Sequence, residues 1–394
     1  METFFGTPWS DVTLDTVEAF LAQAGDEGLT WEAKGTERPH SGSVRKHISA
    51  FANTVGGFYI VGASQDGDNG SWRLDPVDFG DEPQTWLSRV IRSNLRPVPF
   101  FDVKAWPRDS GQIAVVNVDS VAEPPSMTVD GEVFTRVSGE SYPVTDPVAL
   151  QRLLERGAAR AAEAEALALR AAAVPDAEGH YSNLSPRLRL RLSLAPTGRL
   201  DDIGGRLFTQ GFFDALTEAA GRLPAAPLFP YPAANAFART TTQDSIILRE
   251  TTAENRQRWT LHARWDGSVA AYFDLLPKPD DNPSLMDVAI FANAVRPAAH
   301  LLLDLVRTLG GYGRVHFVLV VDADKFEVMS VNGNRGDIPS PGTMLPIRAW
   351  IDDDPSSLDD ALDRMRRELC RAAGAVVWEP EPEGAQEREV ASAG

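Results

Sequence analysis

Residues 50–63 read AFANTVGGFYIVGA. The first half ends a helix and the second half is a strand, with two glycines between them. Helix must therefore become strand within one corner, and this constrains the fold more than any other stretch. Upstream, SGSVRKHISAFANT places Val44, Ile48, Phe51, Ala52 and Val55 on one helical face. Ser43 is the expected N-cap, and Arg45, Lys46, Ser49 and Asn53 point away from the apolar stripe. Gly56 takes the left-handed position that closes a helix, and Gly57 lets the strand start pressed against the helix end. FYIVGA is apolar on both faces, as a central strand must be. QDGDNG then supplies turn residues. Before the helix, LTWEAKG alternates Leu29, Trp31 and Ala33 with Thr30, Glu32 and Lys34. Glu32 and Lys34 therefore share one strand face, about 7 Å apart. Asn53 and Thr54 are expected to bond the backbone at the corner.

The chain has 394 residues, 43% hydrophobic and 24% charged, enough for two domains with real cores. The expected class is α/β (α+β). Residues 1–146 mix short strands, helices and turns. Residues 147–180 read as a helical linker, since PVALQRLLERGAARAAEAEALALRAAA is built of strong helix formers. It is expected to be a solvated connecting helix, interrupted at Gly157, or else a helix that dimerises. Residues 181–376 form a second α/β domain with an antiparallel hairpin and two helices. RLRLRLSL is a half-buried strand with Arg187, Arg189 and Arg191 on its wet face. RWTLHARW and SVAAYFDLL pair about Asp266-Gly267. A helix is expected over Ser284–Leu309, kinked before Pro297. VHFVLVV is a buried strand, and SSLDDALDRMRRELCRAAG is amphipathic, with Leu358, Leu362, Met365 and Leu369 on one face. Residues 377–394 have the composition of a disordered acidic tail.

Three stretches together carry a resemblance. WEAK, VRKHISAFANTVGGFYIVGASQDG and EVFTRVSGESYPV occur in that order. They resemble the Schlafen AlbA-type DNA-binding domain, with its Glu-x-Lys strand, its Ala-Phe-Ala-Asn-Thr helix end, its Gly-Gly turn and its aromatic-x-Arg-x-Gly strand. The resemblance covers about residues 26–145 and does not reach the C-terminal domain. It implies a mixed-sheet fold that binds DNA or RNA. In the members that cut RNA it implies a three-carboxylate site holding Mg²⁺ or Mn²⁺. Carried onto this chain, that site is Glu27, Glu32 and Asp66, with Lys34 steadying phosphate charge. The family's usual acidic pair falls on Ser64 and Gln65 here, with Asp66 and Asp68 just after it.

Each candidate has a plain structural alternative. Glu32 and Lys34 can be a surface pair on an alternating strand, and Glu27, Asp66 and Asp68 can be turn residues. The candidate nucleic-acid contacts are Arg45, Lys46, Arg89, Arg92, Arg96 and Arg136. Arg89, Arg92 and Arg96 lie within about 60° of one helix face, where three arginines can follow a phosphate backbone or simply face water. His40 and His47 lie near Arg45 and Lys46.

Charge bears on these candidates. Lys+Arg is 38 against Asp+Glu 56, for a net charge of −18. Residues 1–146 hold 11 Lys+Arg and 22 Asp+Glu, a difference of −11. Polyanion binding must then come from local patches and be weak and salt-sensitive, or two basic faces must meet in a homodimer. A protein-interaction scaffold in a defence or regulatory system is the other reading.

Several chemistries lack their residues. Cys370 is the one cysteine, so no internal disulfide forms. No Gly-Lys dipeptide exists for a phosphate-binding loop. The six histidines show no metal spacing, and no Gly-x-Ser-x-Gly occurs. METFFGTPWS has no signal-peptide pattern, and the apolar run near 285–309 contains four charges. The chain is expected to be cytoplasmic.

Overall fold

The computed structural model describes residues 3–35, 37–66, 70–173, 188–200, 203–222, 237–251, 257–275, 285–287, 295–322, 326–329, 335–338, 345–352 and 356–372. The chain forms two compact units. One is Met1–Leu167 with Ala195–Arg206 and Val306–His316; the other is Ala168–Leu194, Leu207–Leu305 and Phe317–Gly394.

The first unit runs β1 (Thr3–Phe4), β2 (Thr7–Pro8), α1 (Leu14–Gln23), β3 (Trp31–Lys34), α2 (Ser41–Asn53), β4 (Gly57–Val61), β5 (Ala63–Gln65), β6 (Trp72–Leu74), α3 (Pro83–Asn94), β7 (Leu95–Arg96), β8 (Phe101–Arg108), β9 (Gly111–Val118), β10 (Met127–Thr128), β11 (Phe134–Val137), β12 (Glu140–Pro143) and most of α4 (Pro147–Ala172). Its main sheet has the order β3-β4-β9-β8. β3 and β4 are parallel, with Glu32 beside Tyr59 and Lys34 beside Val61. The other two pairings are antiparallel.

Both faces of this sheet are covered, as the apolar sequence of β4 requires. Tyr59 and Val61 pack with Val44, Ile48 and Phe51 of α2 and with Leu87 and Ile91 of α3. Phe58 and Ile60 point the other way, onto Phe4, Val17, Leu21, Trp31 and Ala33. The two-residue period of the strand thus feeds two cores. Glu32 and Lys34 share a face, as their spacing predicts, and it is the face that carries α2.

The corner is built as its sequence demands. Gly56 has φ +79°, and a Cβ there would meet Val118 O at 2.6 Å. A Cβ on Gly57 would meet the Phe51 ring at 2.2 Å and Thr30 O at 2.8 Å. α2 starts earlier than expected: its N-cap is His40, without a side-chain cap, and Ser43 lies inside the first turn. Because the helix ends at Asn53, Val55 leaves the apolar stripe and is exposed.

The polar side of α2 is not wet. His47, Ser49 and Asn53 are buried, because β10 and the β11–β12 hairpin pack over them. Asn53 works beyond the corner: its Nδ2 donates to Ser126 O and Phe134 O, both at 2.9 Å, and its Oδ1 accepts from Ser126 N. Thr54 Oγ1 donates to Ala50 O and accepts from Arg136 N.

α4 is unbroken. Gly157 does not interrupt it; a Cβ there would meet Pro124 O at 2.8 Å, so the glycine serves close approach. Nor is the helix wholly solvated, since Leu153, Ala164 and Leu167 are buried and Arg156 donates to Asn53 O.

The second unit is organised on a seven-stranded sheet. The elements lying wholly or partly in it are β13 (Leu188–Arg199), α5 (Ile203–Leu207), α6 (Gln210–Arg222), β14 (Phe237–Thr241), β15 (Ser245–Thr251), β16 (Gln257–Arg264), β17 (Val269–Leu275), β18 (Leu285–Asp287), α7 (Arg296–Thr308), β19 (Gly311–Asp322), β20 (Phe326–Met329), β21 (Arg335–Ile338), β22 (Leu345–Ile351) and α8 (Ser356–Ala372). The strand order is β14-β15-β16-β17-β13-β19-β22. The expected hairpin forms β16 and β17, with Gly267 at φ +80°. Leu358, Leu362, Met365 and Leu369 of α8 are all buried. Within the helix expected over Ser284–Leu309, the described α-helix is Arg296–Thr308, and 285–287 is a strand. Residues 288–294, and with them the expected kink before Pro297, lie outside the described residues. Arg187 and the tail at 377–394 lie outside the described residues. Among the described residues no helix is long and apolar enough to cross a membrane.

Candidate functional site

The motif residues meet one another inside the first unit. β3 brings Glu32 under α2, where it is 3% exposed. The hairpin β11–β12 delivers Arg136, whose side chain is fully buried. Arg136 Nη1 donates to Glu32 Oε2 at 2.8 Å, and Lys34 Nζ donates to Oε1 at 2.5 Å. The remaining Arg136 donors go to Gly28 O, Trp31 O, Gly139 O and Ser141 Oγ. Its guanidinium also lies 4.5 Å from the centre of the Phe51 ring. Such a planar fork, with every donor engaged, clamps the hairpin to β3.

His47 closes the cluster from α2. Its Nδ1 is 3.0 Å from Ser141 Oγ and its Nε2 is 3.5 Å from Glu32 Oε1. Glu32 can only accept, so the neutral ring carries its proton on Nε2 and its Nδ1 accepts from the Ser141 hydroxyl. Burial lowers the His47 pKa from 6.5 to about 4, against the raising effect of Glu32; Lys34, Arg136 and Lys46 lower it further. Burial pushes the Glu32 carboxyl up, but His47, Lys34 and Arg136 outweigh it and leave the group below its ordinary range. Glu27 is raised, chiefly by burial, although its Oε1 accepts from Ala33 N at 2.7 Å.

This cluster does not fit a divalent cation. Mg²⁺ or Mn²⁺ needs carboxylate oxygens free to coordinate. Both Glu32 oxygens are taken by cationic groups, which would repel a metal ion. No group of three or more His, Cys, Asp or Glu that could hold a metal comes together among the described residues. Glu27, Glu32 and Asp66 therefore do not assemble the expected three-carboxylate site. Asp66 sits in the β5–β6 turn, where its N–H donates to Ser71 O and its carbonyl accepts from Gly70 N. Asp68 lies outside the described residues.

The basic candidates separate by environment. Arg136, expected at a phosphate or a base, is internal and meets no solvent. Arg45 pairs with Asp130, and Arg89 lies 3.7 Å from Asp81. Lys46 is half-buried on α2 and has no ion pair among the described residues. Arg92 is exposed and stacks 5.2 Å from the Phe101 ring centre. Arg96 is exposed too, but it is not helical. α3 stops at Asn94, and Arg96 lies in β7, because a residue before proline is driven out of the helical region. Its guanidinium reaches back to Arg92 O at 2.7 Å and Leu95 O at 2.6 Å, bonding carbonyls and no carboxylate.

Two contributors escape sequence reading. Ser141 carries no motif signal. Arg38 lies 3.5 Å from Asp81 and donates to Phe79 O, with its guanidinium 4.4 Å over the Trp86 ring; these partners are some 40 to 50 residues away in sequence.

Residues 27–145 match the family model described as Schlafen, AlbA_2. Two solved structures are similar over part of the chain. The DIP2311 protein from Corynebacterium diphtheriae is 22% identical over 32% of this chain and 29% of that one, with a TM-score of 0.23. The N-terminal domain of a protein from Nitrosomonas europaea described as related to the ATP-dependent DNA helicase RecG is 23% identical over 30% of this chain and 79% of that one, also with a TM-score of 0.23. The chain thus spans less than a third of the DIP2311 protein. No curated protein matches it.

Proposed function

We propose that the first unit binds nucleic acid through its phosphates. Arg92, Arg96 and Lys46 make the initial contacts, and Arg45 and Arg89 join once they leave their carboxylates. One observation carries this reading: Arg92 and Arg96 stand together at the end of α3, exposed, with no carboxylate partner among the described residues. Among residues 1–146, where acids are twice as many as bases, two such neighbouring arginines form a local site for a polyanion. Phe101 and the carbonyls of Arg92 and Leu95 already hold their side chains, so less freedom is lost on binding. The AlbA-type match of residues 27–145 supports the same class of partner. The excess acid makes binding weak and strongly dependent on salt.

The test is a salt titration of binding to a short labelled DNA duplex and to an RNA hairpin. Arg92→Ala with Arg96→Ala should weaken binding and flatten the slope of log K against log salt by about one per lost contact. A slope identical to that of the unaltered protein would refute the reading.

A further inference from the structure

Resting on that reading, we propose that Asp81 and Asp130 are built-in competitors for phosphate. They hold Arg38, Arg89 and Arg45 in the free protein and yield them when nucleic acid arrives.

The two carboxylates are placed for this role. Asp81 lies between two arginines, 3.5 Å from Arg38 and 3.7 Å from Arg89. These are ion-pair distances rather than hydrogen bonds of good geometry. Asp130 pairs with Arg45. Each aspartate side chain is 55% exposed, so each pair is weak and opens at little cost. A guanidinium accepts a carboxylate and a phosphate by the same planar fork, which makes an aspartate a direct rival for the incoming group.

Arg38 gives the site its readiness. Its bond to Phe79 O and its seat over Trp86 do not involve Asp81. The guanidinium therefore stays in place when the carboxylate leaves. Around Asp81 two positive groups share one negative group, and releasing the aspartate leaves a pair of cations. This sets Arg38, Arg89 and Arg45 apart from Arg92 and Arg96, which have no carboxylate to shed.

The competition has a measurable sign. A displaced aspartate takes up a cation from solution and offsets part of the counterion release that drives binding. Asparagine at the same place cannot compete or take up a cation. Asp81→Asn with Asp130→Asn in the full chain should bind the labelled DNA duplex and RNA hairpin about three- to tenfold more tightly. Its salt slope should also be steeper than that of the unaltered protein. Asp26→Asn with Glu132→Gln is the control: it changes net charge equally, at exposed acids that have no arginine partner among the described residues.

A gain confined to the Asp81/Asp130 variant supports the proposal, as does binding that appears only in that variant. An equal gain in the control overturns it, because long-range charge alone would then explain the effect. No gain, while Arg92→Ala with Arg96→Ala still weakens binding, overturns the competitor role and leaves the nucleic-acid reading standing. No binding by any form at low salt overturns both.

Discussion

The first unit uses the same residue types in two opposite settings. In the interior, Glu32, Arg136, Lys34 and His47 interlock, with the Arg136 side chain fully buried. At the surface, Arg38 and Arg89 share Asp81 at long range, Arg45 pairs with the exposed Asp130, and Arg92 and Arg96 meet no carboxylate among the described residues. A buried charge cannot lose its partner without great cost, whereas an exposed pair exchanges partners almost freely. The interior set therefore builds the domain and the surface set is available to a ligand. A motif rich in charge is no more a binding site than burial allows it to be.

The contrast is sharpest in stability. Arg136→Ala removes the partner of Glu32 and strands the carbonyls of Gly28, Trp31 and Gly139. It should cost about 3–5 kcal/mol in chemical denaturation. Glu32→Leu should cost less when Arg136→Leu is already present, since the paired removal leaves no lone charge in the interior and the partly exposed Lys34 can turn to water. The recovery should be incomplete, because the carbonyls remain unsatisfied. If Arg136→Ala unfolds at the same denaturant concentration as the unaltered protein, the interior set is not structural.

Acid provides the next effect. The folded His47 pKa of about 4 lies below its ordinary 6.5, so between these values the unfolded chain binds more protons. Stability is then intact above pH 6.5 and falls as the pH drops toward 4, by roughly 3 kcal/mol from this residue. Glu27 works in the opposite sense: its raised pKa favours the fold at low pH and loses that contribution as the pH rises. His47→Gln should flatten the pH dependence between 6.5 and 4, measured by denaturation at fixed ionic strength. An unchanged profile would mean that His47 is not the group that titrates.

The smallest stability effect belongs to the surface. Arg92→Ala with Arg96→Ala should change unfolding free energy by no more than about 0.5 kcal/mol, while nucleic-acid affinity and its salt slope fall. A large loss of stability in that variant would erase the distinction between the two sets.

Much of the local structure was legible in the chain. The Gly56-Gly57 corner, the opposite facing of Trp31 and Glu32, and the Asp266-Gly267 hairpin each follow from short-range rules: a positive φ, a two-residue period, a turn dipeptide. The position of Arg96 was not legible from helical periodicity, which carries α3 past its end at Asn94. Pro97 keeps the residue before it out of the helix. The candidate site was legible as a set of residues but not as an arrangement, since WEAK and FTRVSG announce Glu32 and Arg136 without revealing that they face each other.

What the amino-acid order determined by itself is the alternation, the corner and the identity of the charged residues, because these depend on neighbours along the chain. Only the tertiary structure decided which charges are sealed and which stay wet. Glu32 and Arg136 are 104 residues apart and become one buried pair because the β11–β12 hairpin folds over the polar side of α2. Burial depends on what the rest of the chain lays across a surface, and that long-range act turned an expected site into a core and left the arginines of α3 outside.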